Sequence, residues 1–380
     1  MVTGEGPPSD SCGTADSSDA SGATGRSCPS CGEPVGMSDR FCERCGAALA
    51  VLQPAGEGGP GAGAVGPGEG GAVSSVAAVR TAAPPSVCPS CGASDGVDAD
   101  GFCLSCGVRS VRPRDRMECD LGAVVAVSDK GPHKARNEDS FAVALLEGGG
   151  FVLSVCDGVS NIARSDEASQ AACAAAVATL AVSSEDGASP LMVRAASAAS
   201  AAVVAVAPMA VGADPPSCTF LAARWQASEG LTVGWLGDCR AYLVTGSSAR
   251  QLTTDHSWGS EAVRAGVLSQ QQADADGRSH AITRWLGADA GIEPLPDLVG
   301  EDVDPASAAL VVAVSDGAWN YLGSADELAT FFTGVTLLEG ARRLTEHAIA
   351  SGGHDNITVV AGRLAAPTPT PDPATSTEPV

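Results

Sequence analysis

Four short acidic stretches stand far apart in the chain: Arg-Asn-Glu-Asp at Arg136–Asp139, Cys-Asp-Gly at Cys156–Gly158, Ser-Asp-Gly at Ser315–Gly317 and His-Asp-Asn at His354–Asn356. Each lies at or beside the end of an apolar, β-type run. Phe151–Cys156 leads into Asp157, Ala308–Ser315 leads into Asp316, and Ile357–Gly362 leads away from Asp355. Carboxylates at strand ends with glycine beside them suit hard divalent cations, because the oxygens are rigidly placed and the backbone can approach closely. One Asp-Gly alone is ordinary turn chemistry. Four in series point to a shared centre.

A second chemistry sits in an internal repeat. Cys28-Pro-Ser-Cys31-Gly32 is followed by Phe41-Cys42-Glu-Arg-Cys45-Gly46, and Cys88-Pro-Ser-Cys91-Gly92 by Phe102-Cys103-Leu-Ser-Cys106-Gly107. A Cys-x-x-Cys knuckle aims two thiolates at one ion, and the glycine after it accepts the positive φ of the turn. Two knuckles make a closed four-thiolate site suited to structural zinc, with a redox dithiol as the alternative reading. Pieces this small need the metal to fold.

Composition limits the rest. The chain has 380 residues, enough for two or three domains, and a formal net charge of −23, which argues against nucleic acid or an anionic membrane as partner. No basic start followed by an apolar core is visible at the N-terminus, so a cytoplasmic location is expected and the fourteen cysteines read as metal ligands and free thiols. The most apolar stretch, Ala195–Val211, is expected to be a buried helix and not a membrane span.

These features divide the chain into a disordered 1–27, a first ribbon at 28–46, a Gly/Pro-rich flexible linker at 47–87, a second ribbon at 88–107, an arginine-studded joint at 108–118, a globular unit at 119–364 and a disordered Pro/Thr tail at 365–380. Within the globular unit, strands are expected at Leu121–Val127, Phe141–Leu146, Phe151–Cys156, Cys218–Trp225, Leu231–Leu236, Ala241–Val244, Leu310–Val314 and Ile357–Ala361. Helices are expected at Asp166–Val182, Pro190–Val206 and Gly334–Ala350. Strands in consecutive groups, without βαβ alternation, imply α+β with antiparallel sheets: two sheets face to face, flanked by helix pairs in a four-layer αββα sandwich.

The order of motifs resembles the metal-dependent PPM (protein phosphatase 2C) family of serine/threonine phosphatases. Gly131–Ser140, Val155–Val159, Leu236–Tyr242, Leu252–Ser257, Ile282–Gly287, Val314–Gly317 and Gly353–Val360 carry the likeness across 121–364. The paired ribbons resemble the double zinc-ribbon family, whose members mostly serve as interaction modules. The resemblance implies a phosphoserine/phosphothreonine phosphatase that uses a hydroxide bridging two Mn²⁺ or Mg²⁺ ions. Asp157 would bridge both ions, and the Gly158 carbonyl would bind one. Asp316 and Asp355 would hold the other, Glu138 and Asp139 would act through metal-bound water, and Asp238 would be the main acid of a weaker third site. Implied partners are phosphoproteins modified by serine/threonine kinases, with a protein partner recruited by the ribbons.

Several positions depart from the family pattern. Lys134 stands where the phosphate-gripping arginine is usual, with Arg136 two residues on, and a lysine lacks the bidentate fork. Ser160 and Asn161 replace a Gly-Gly pair, Val159 replaces a proton-donating histidine found in some members, and Asn320 replaces a second aspartate. The alternative reading is a catalytically weak fold acting as a regulatory module through its ribbons. Against it stand Glu138, Asp139, Asp157, Asp316 and Asp355, since mutually repelling acids serve no purpose without a cation. Cys156, Cys173, Cys218 and Cys239 read as small buried hydrophobes.

Overall fold

The computed structural model describes residues 112–159, 164–182, 187–206, 214–290 and 294–365, together with 88, 91–94, 102–108 and the backbone of three short strands near the N-terminus. Cys28, Cys31, Cys42 and Cys45, the departures at Ser160 and Asn161, and most of the expected disordered ends at 1–27 and 365–380 lie outside the described residues, but Arg26–Ser27 within the first end form a strand. The chain forms two compact units, Met1–Val65 and Gly66–Val380. In the first, the described part is an antiparallel pair, β1 (Arg26–Ser27) with β2 (Pro34–Val35).

The second unit holds two large antiparallel sheets. The strands are β3 (Arg80–Thr81), β4 (Arg116–Asp120), β5 (Val124–Asp129), β6 (Ser140–Leu146), β7 (Gly150–Cys156), β8 (Ser217–Cys218), β9 (Phe220–Gln226), β10 (Gly230–Leu236), β11 (Arg240–Thr245), β12 (Ser248–Gln251), β13 (Leu286–Gly287), β14 (Asp297–Glu301), β15 (Leu310–Val314) and β16 (Ile357–Arg363). The helices are α1 (Ser165–Leu180), α2 (Ala188–Ala205), α3 (Trp258–Arg264), α4 (Gln270–Asp274), α5 (Asp316–Trp319), α6 (Ala325–Phe332) and α7 (Leu337–Ala350). One sheet has the order β14-β10-β9-β7-β6 and the other β12-β11-β15-β16-β5-β4-β3, with β8 and β13 forming a small pair.

Alternation along the strands builds the layers. On β7, Phe151, Leu153 and Val155 enter the core between the sheets, while Val152 and Cys156 face the helices. Fully burying a side chain such as Phe151, Leu153 or Leu231 contributes about 1.5–3 kcal/mol. Helix α1 meets its sheet through Ala168, Ala172, Cys173, Ala176 and Leu180, a helical spacing of mostly small residues that permits close approach. Helices α6 and α7 cover the other sheet through Leu328, Phe332, Ala341, Leu344 and Ala348. The result is the expected αββα sandwich.

The structure corrects three expectations. The arginine joint is not a joint from residue 113 onward: Pro113–Asp115 form a 3₁₀ turn and Arg116–Asp120 form β4, a strand with Met117 and Cys119 buried. Its arginines find partners on the fold. Arg116 pairs with Asp129 at 3.0 Å, and Arg114 donates to the Gln170 side chain at 2.8 Å and to the Asp166 carbonyl at 3.1 Å. Second, Arg80–Thr81, inside the expected free linker, pairs with β4. Third, α2 is one-sided rather than buried. It is long and apolar enough to cross a membrane by length and composition, but Leu191, Met192, Ala195, Ala199 and Val203 pack on the sheet while Val204 is exposed. A chain starting at Glu118 therefore loses Arg114 and the Arg116–Met117 half of β4, and its melting temperature should fall by several degrees against a chain starting at Val108. Equal melting temperatures would show that those contacts contribute nothing.

Candidate active site

The acids converge because both sheets end their strands on one side of the sandwich. Asp139 precedes β6, Asp157 follows β7 and Asp238 lies between β10 and β11. Asp316 opens α5 just after β15, and Asp355 stands two residues before β16.

Backbone and side-chain bonds fix each one. The Asp157 N–H donates to Thr219 Oγ1 and the Asp157 carbonyl accepts from the Thr219 N–H, both at 2.8 Å. Asp139 Oδ2 accepts from Ser315 Oγ at 2.6 Å, and Ser315 Oγ accepts from the Thr358 N–H at 2.9 Å. Asn356 ties its own loop to the β5–β6 loop at three points. Its Oδ1 accepts from the Glu138 N–H at 2.8 Å, and its Nδ2 donates to the carbonyls of Lys130 at 2.8 Å and Arg136 at 2.9 Å. Gly158 donates its N–H to the Glu138 carbonyl at 3.1 Å, and a Cβ there would lie 2.7 Å from the carbonyls of Glu138 and Ser165, so only glycine fits. Asp238 is held from behind: its carbonyl accepts from Trp319 Nε1 at 2.9 Å, and the Trp319 ring carries the Arg240 guanidinium 3.4 Å from its centroid.

The electrostatics call for a cation. Burial, then the charges of Asp139, Asp316, Asp238 and Asp355, hold the Asp157 carboxyl well above the usual range. Asp316 is raised in the same way by burial and then by Asp238 and Asp355. Burial pushes Asp139 up to about 6 against the lowering bond from Ser315, and burial with Asp255 pushes Asp238 up to about 7. Asp139 Oδ1 and Asp316 Oδ1 are buried without any hydrogen-bond partner. Buried carboxylate oxygens without donors are unfavourable unless a cation satisfies them, so the residues present fit divalent metal. The set is all oxygen, which suits Mg²⁺ or Mn²⁺.

Lys134 and Arg136 part company. Lys134 Nζ lies 2.6 Å from Asp355 Oδ1, inside the acid group; burial opposes its charge, but Asp355, Asp157 and Glu138 raise its pKa overall. Arg136 turns toward α1 and pairs with Asp166 at 3.5 Å. Asn320, at the end of α5, has helical backbone geometry, and the four non-ribbon cysteines singled out above are all buried. Ser315 and Asn356 lie inside the acidic motifs of the sequence, whereas Thr219 and Trp319 are positioning residues that no sequence signal singled out, since their roles arise from pairing across loops. A cavity of about 310 Å³ lined by Val244, Phe332, Leu337 and Arg363 lies at the opposite end of the seven-stranded sheet and holds none of these acids.

In the second ribbon, Cys88, Cys91, Cys103 and Cys106 come together, with sulfur atoms within 4.8 Å of one another. Cys88 Sγ lies 3.7 Å from Cys106 Sγ and Cys91 Sγ 3.8 Å from Cys103 Sγ. A tetrahedron with zinc–sulfur bonds of about 2.3 Å has edges of about 3.8 Å, so the four thiols already have the size of a zinc cage.

Comparison with known families matches this geometry. The protein phosphatase 2C family profile covers residues 132–347, more than half of the chain. The chain belongs to the protein phosphatase 2C family. The double zinc ribbon profile matches residues 28–107. Among curated relatives of this protein phosphatase 2C chain, the serine/threonine phosphatase stp of Listeria innocua is 32% identical over 143 residues, covering 37% of the chain and 55% of the relative. Protein phosphatase PhpP of Streptococcus pneumoniae is 30% identical over 125 residues, 33% of the chain and 49% of the relative. The chain thus spans about half the length of these relatives. Among solved structures, the Mycobacterium tuberculosis serine/threonine phosphatase PstP/Ppp superposes with a TM-score of 0.55 at 27% identity, covering 64% of this chain and 98% of that one. A PstP catalytic domain with two manganese ions gives 0.53 at 26% identity, over 63% and 97%.

Proposed function

We propose that the chain is a metal-dependent phosphoprotein phosphatase acting on phosphoserine and phosphothreonine, with two zinc ribbons that recruit partners. The observation that carries the reading is the pair of buried, partnerless carboxylate oxygens on Asp139 and Asp316 among five acids. Asp157, the Gly158 carbonyl, Asp316 and Asp355 would hold two Mn²⁺ or Mg²⁺ ions, with Glu138 and Asp139 ordering water beside them and Asp238 serving a weaker third site. Such ions supply an acidified water as nucleophile and neutralise charge on the phosphoryl oxygens. The neighbouring PstP catalytic domain with two manganese ions supports the metal choice. Cys28, Cys31, Cys42 and Cys45 would together bind one structural zinc, and the four cysteines of the second ribbon a second. The test is hydrolysis of a phosphothreonine peptide with and without Mn²⁺. Metal-dependent release of phosphate is expected, and no release at saturating Mn²⁺ would favour the regulatory-module reading.

The protein's own residues prepare the phosphoryl site. Thr219 and Asn356 lock the loops that carry Asp157 and Glu138, so the acids need little rearrangement on binding. Lys134 is poised as a point charge for the phosphoryl oxygens once Asp355 engages a cation. Lys134→Ala should raise KM about tenfold with a smaller effect on kcat, and Lys134→Arg should retain or improve KM. If Arg136→Ala alone raises KM, the phosphate grip belongs to Arg136.

A further inference from the structure

The second ribbon is an excursion between two paired strands. β3 and β4 lie side by side with Arg80 opposite Glu118 and Thr81 opposite Met117, and the ribbon occupies the chain between them. Register fixes the end from which it departs. Arg116 is opposite Asp129, and Asp129 is opposite Ile357, two residues from Asp355. The excursion therefore leaves and rejoins the sheet at the end where the acids gather.

Its return is bonded to the catalytic loops. The Asp115 carbonyl accepts from the Lys130 N–H at 2.8 Å, and the Arg114 carbonyl accepts from Asn137 Nδ2 at 3.1 Å, one residue before Glu138. Only residues 82–87 separate Thr81 from Cys88. At about 3.3–3.6 Å per residue, Cys88 stays within about 25 Å of the sheet edge. The exit is equally short, from Cys106 to Arg112.

The ribbon's surface is unusual for this chain. Phe102 is 40% exposed, Leu104 65% and Val108 44%, and these are three of the eight exposed large hydrophobics among the described residues. The surrounding sequence Cys88–Gly107 contains Asp95, Asp98 and Asp100 and no basic residue. Exposed Phe102 and Leu104 within a segment of acidic sequence fit a partner segment that is both apolar and basic.

We propose that the second ribbon is a substrate-docking surface, taking a basic, apolar segment of the phosphoprotein within about 40 Å of the phosphorylated residue, the tether's reach plus the three strand spacings from β3 to β16. The proposal rests on the phosphatase reading above. Docking on a module tied to the same sheet as the site raises the local concentration of the phosphorylated residue and lowers KM without altering the chemistry.

The test compares two phosphothreonine peptides with the same core, one carrying an Arg/Leu arm about twelve residues away and the other a Glu/Ser arm. With full-length zinc-loaded protein, the Arg/Leu peptide should show a roughly tenfold lower KM at equal kcat, with the advantage shrinking as salt is raised. Leu104→Ser, checked for unchanged zinc content, should erase the difference while a small phosphate ester is hydrolysed as by the wild type. Equal KM for the two arms, or a difference that survives Leu104→Ser, overturns the proposal. Fluorescence anisotropy with the unphosphorylated peptides separates failure of docking from failure of the phosphatase reading. Tighter binding of the Arg/Leu arm that depends on Leu104 supports docking even if no phosphate is released, and absent preference overturns it. A change of oligomeric state in Leu104→Ser without an effect on peptide would assign the patch to self-association and also overturn it.

Discussion

Asp157→Asn should lower kcat by at least about a hundredfold, with Asp316→Asn close behind, because each removes one charge from the group that would hold the activating cations. The geometry makes a second consequence separable from the first. Asp157 is fixed through its backbone by Thr219, at 2.8 Å in both directions, so its side chain can change without releasing the loop. In the absence of metal, the carboxylate at Asp157 is buried and repelled by four neighbours. Asparagine removes that repulsion. The variant should therefore melt at a higher temperature than the wild type in chelator and show little of the wild-type gain when Mn²⁺ is added. Calorimetry with and without Mn²⁺, alongside phosphopeptide kinetics, checks both. A fully active Asp157→Asn variant would sink the metal reading, and a variant that is inactive because it is unfolded would show that the loop depends on the carboxylate.

The metal-free protein should lose stability as pH rises from about 4 to about 7. Asp139, raised to about 6, and Asp238, raised to about 7, hold protons in the folded chain that they release near pH 4 when unfolded. Across that interval the folded state binds more protons than the unfolded state, so the slope of stability against pH is negative. Saturating Mn²⁺ should flatten the slope, and binding at pH 6 should release protons, measurable by titration calorimetry in buffers of different ionisation enthalpy. A melting temperature that does not vary with pH in chelator would show that these acids are already paired.

The sandwich and its acids were legible because apolar runs and glycine-flanked carboxylates are local signals. Phe151–Cys156 reads as a strand and Asp157 as its terminus from six or seven residues alone. What escaped was set by distant partners. β4 alternates buried Met117 and Cys119 with Arg116 and Glu118, but four arginines in eight residues looked like a solvated joint. Their partners Asp129, Gln170 and the Asp166 carbonyl come from other parts of the fold. The edge strands β12 and β14 are short or half exposed and carry little apolar signal. Thr219 sits in an ordinary strand-like run and becomes a positioning residue only because β7 and β9 are neighbours. The family resemblance marks Lys134 as the candidate phosphate grip, while its pairing with Asp355 requires the two loops to meet.

The acids come from both layers of the sandwich. Asp139 and Asp157 border strands of the five-stranded sheet, Asp316 and Asp355 border strands of the seven-stranded sheet, and Asp238 lies on the crossover between them. A cation shared by such a set acts as a rivet through two plates. Its affinity then reports their alignment: a substitution in the core between the sheets, such as Trp225 or Leu231, can weaken metal binding without touching a ligand. Removing the rivet should in turn free one end of the sandwich before the other. Amide exchange on metal depletion should quicken first at Asn137–Ser140 and Asn356–Thr358, while the opposite strand ends at Leu310 and Gly362 stay protected.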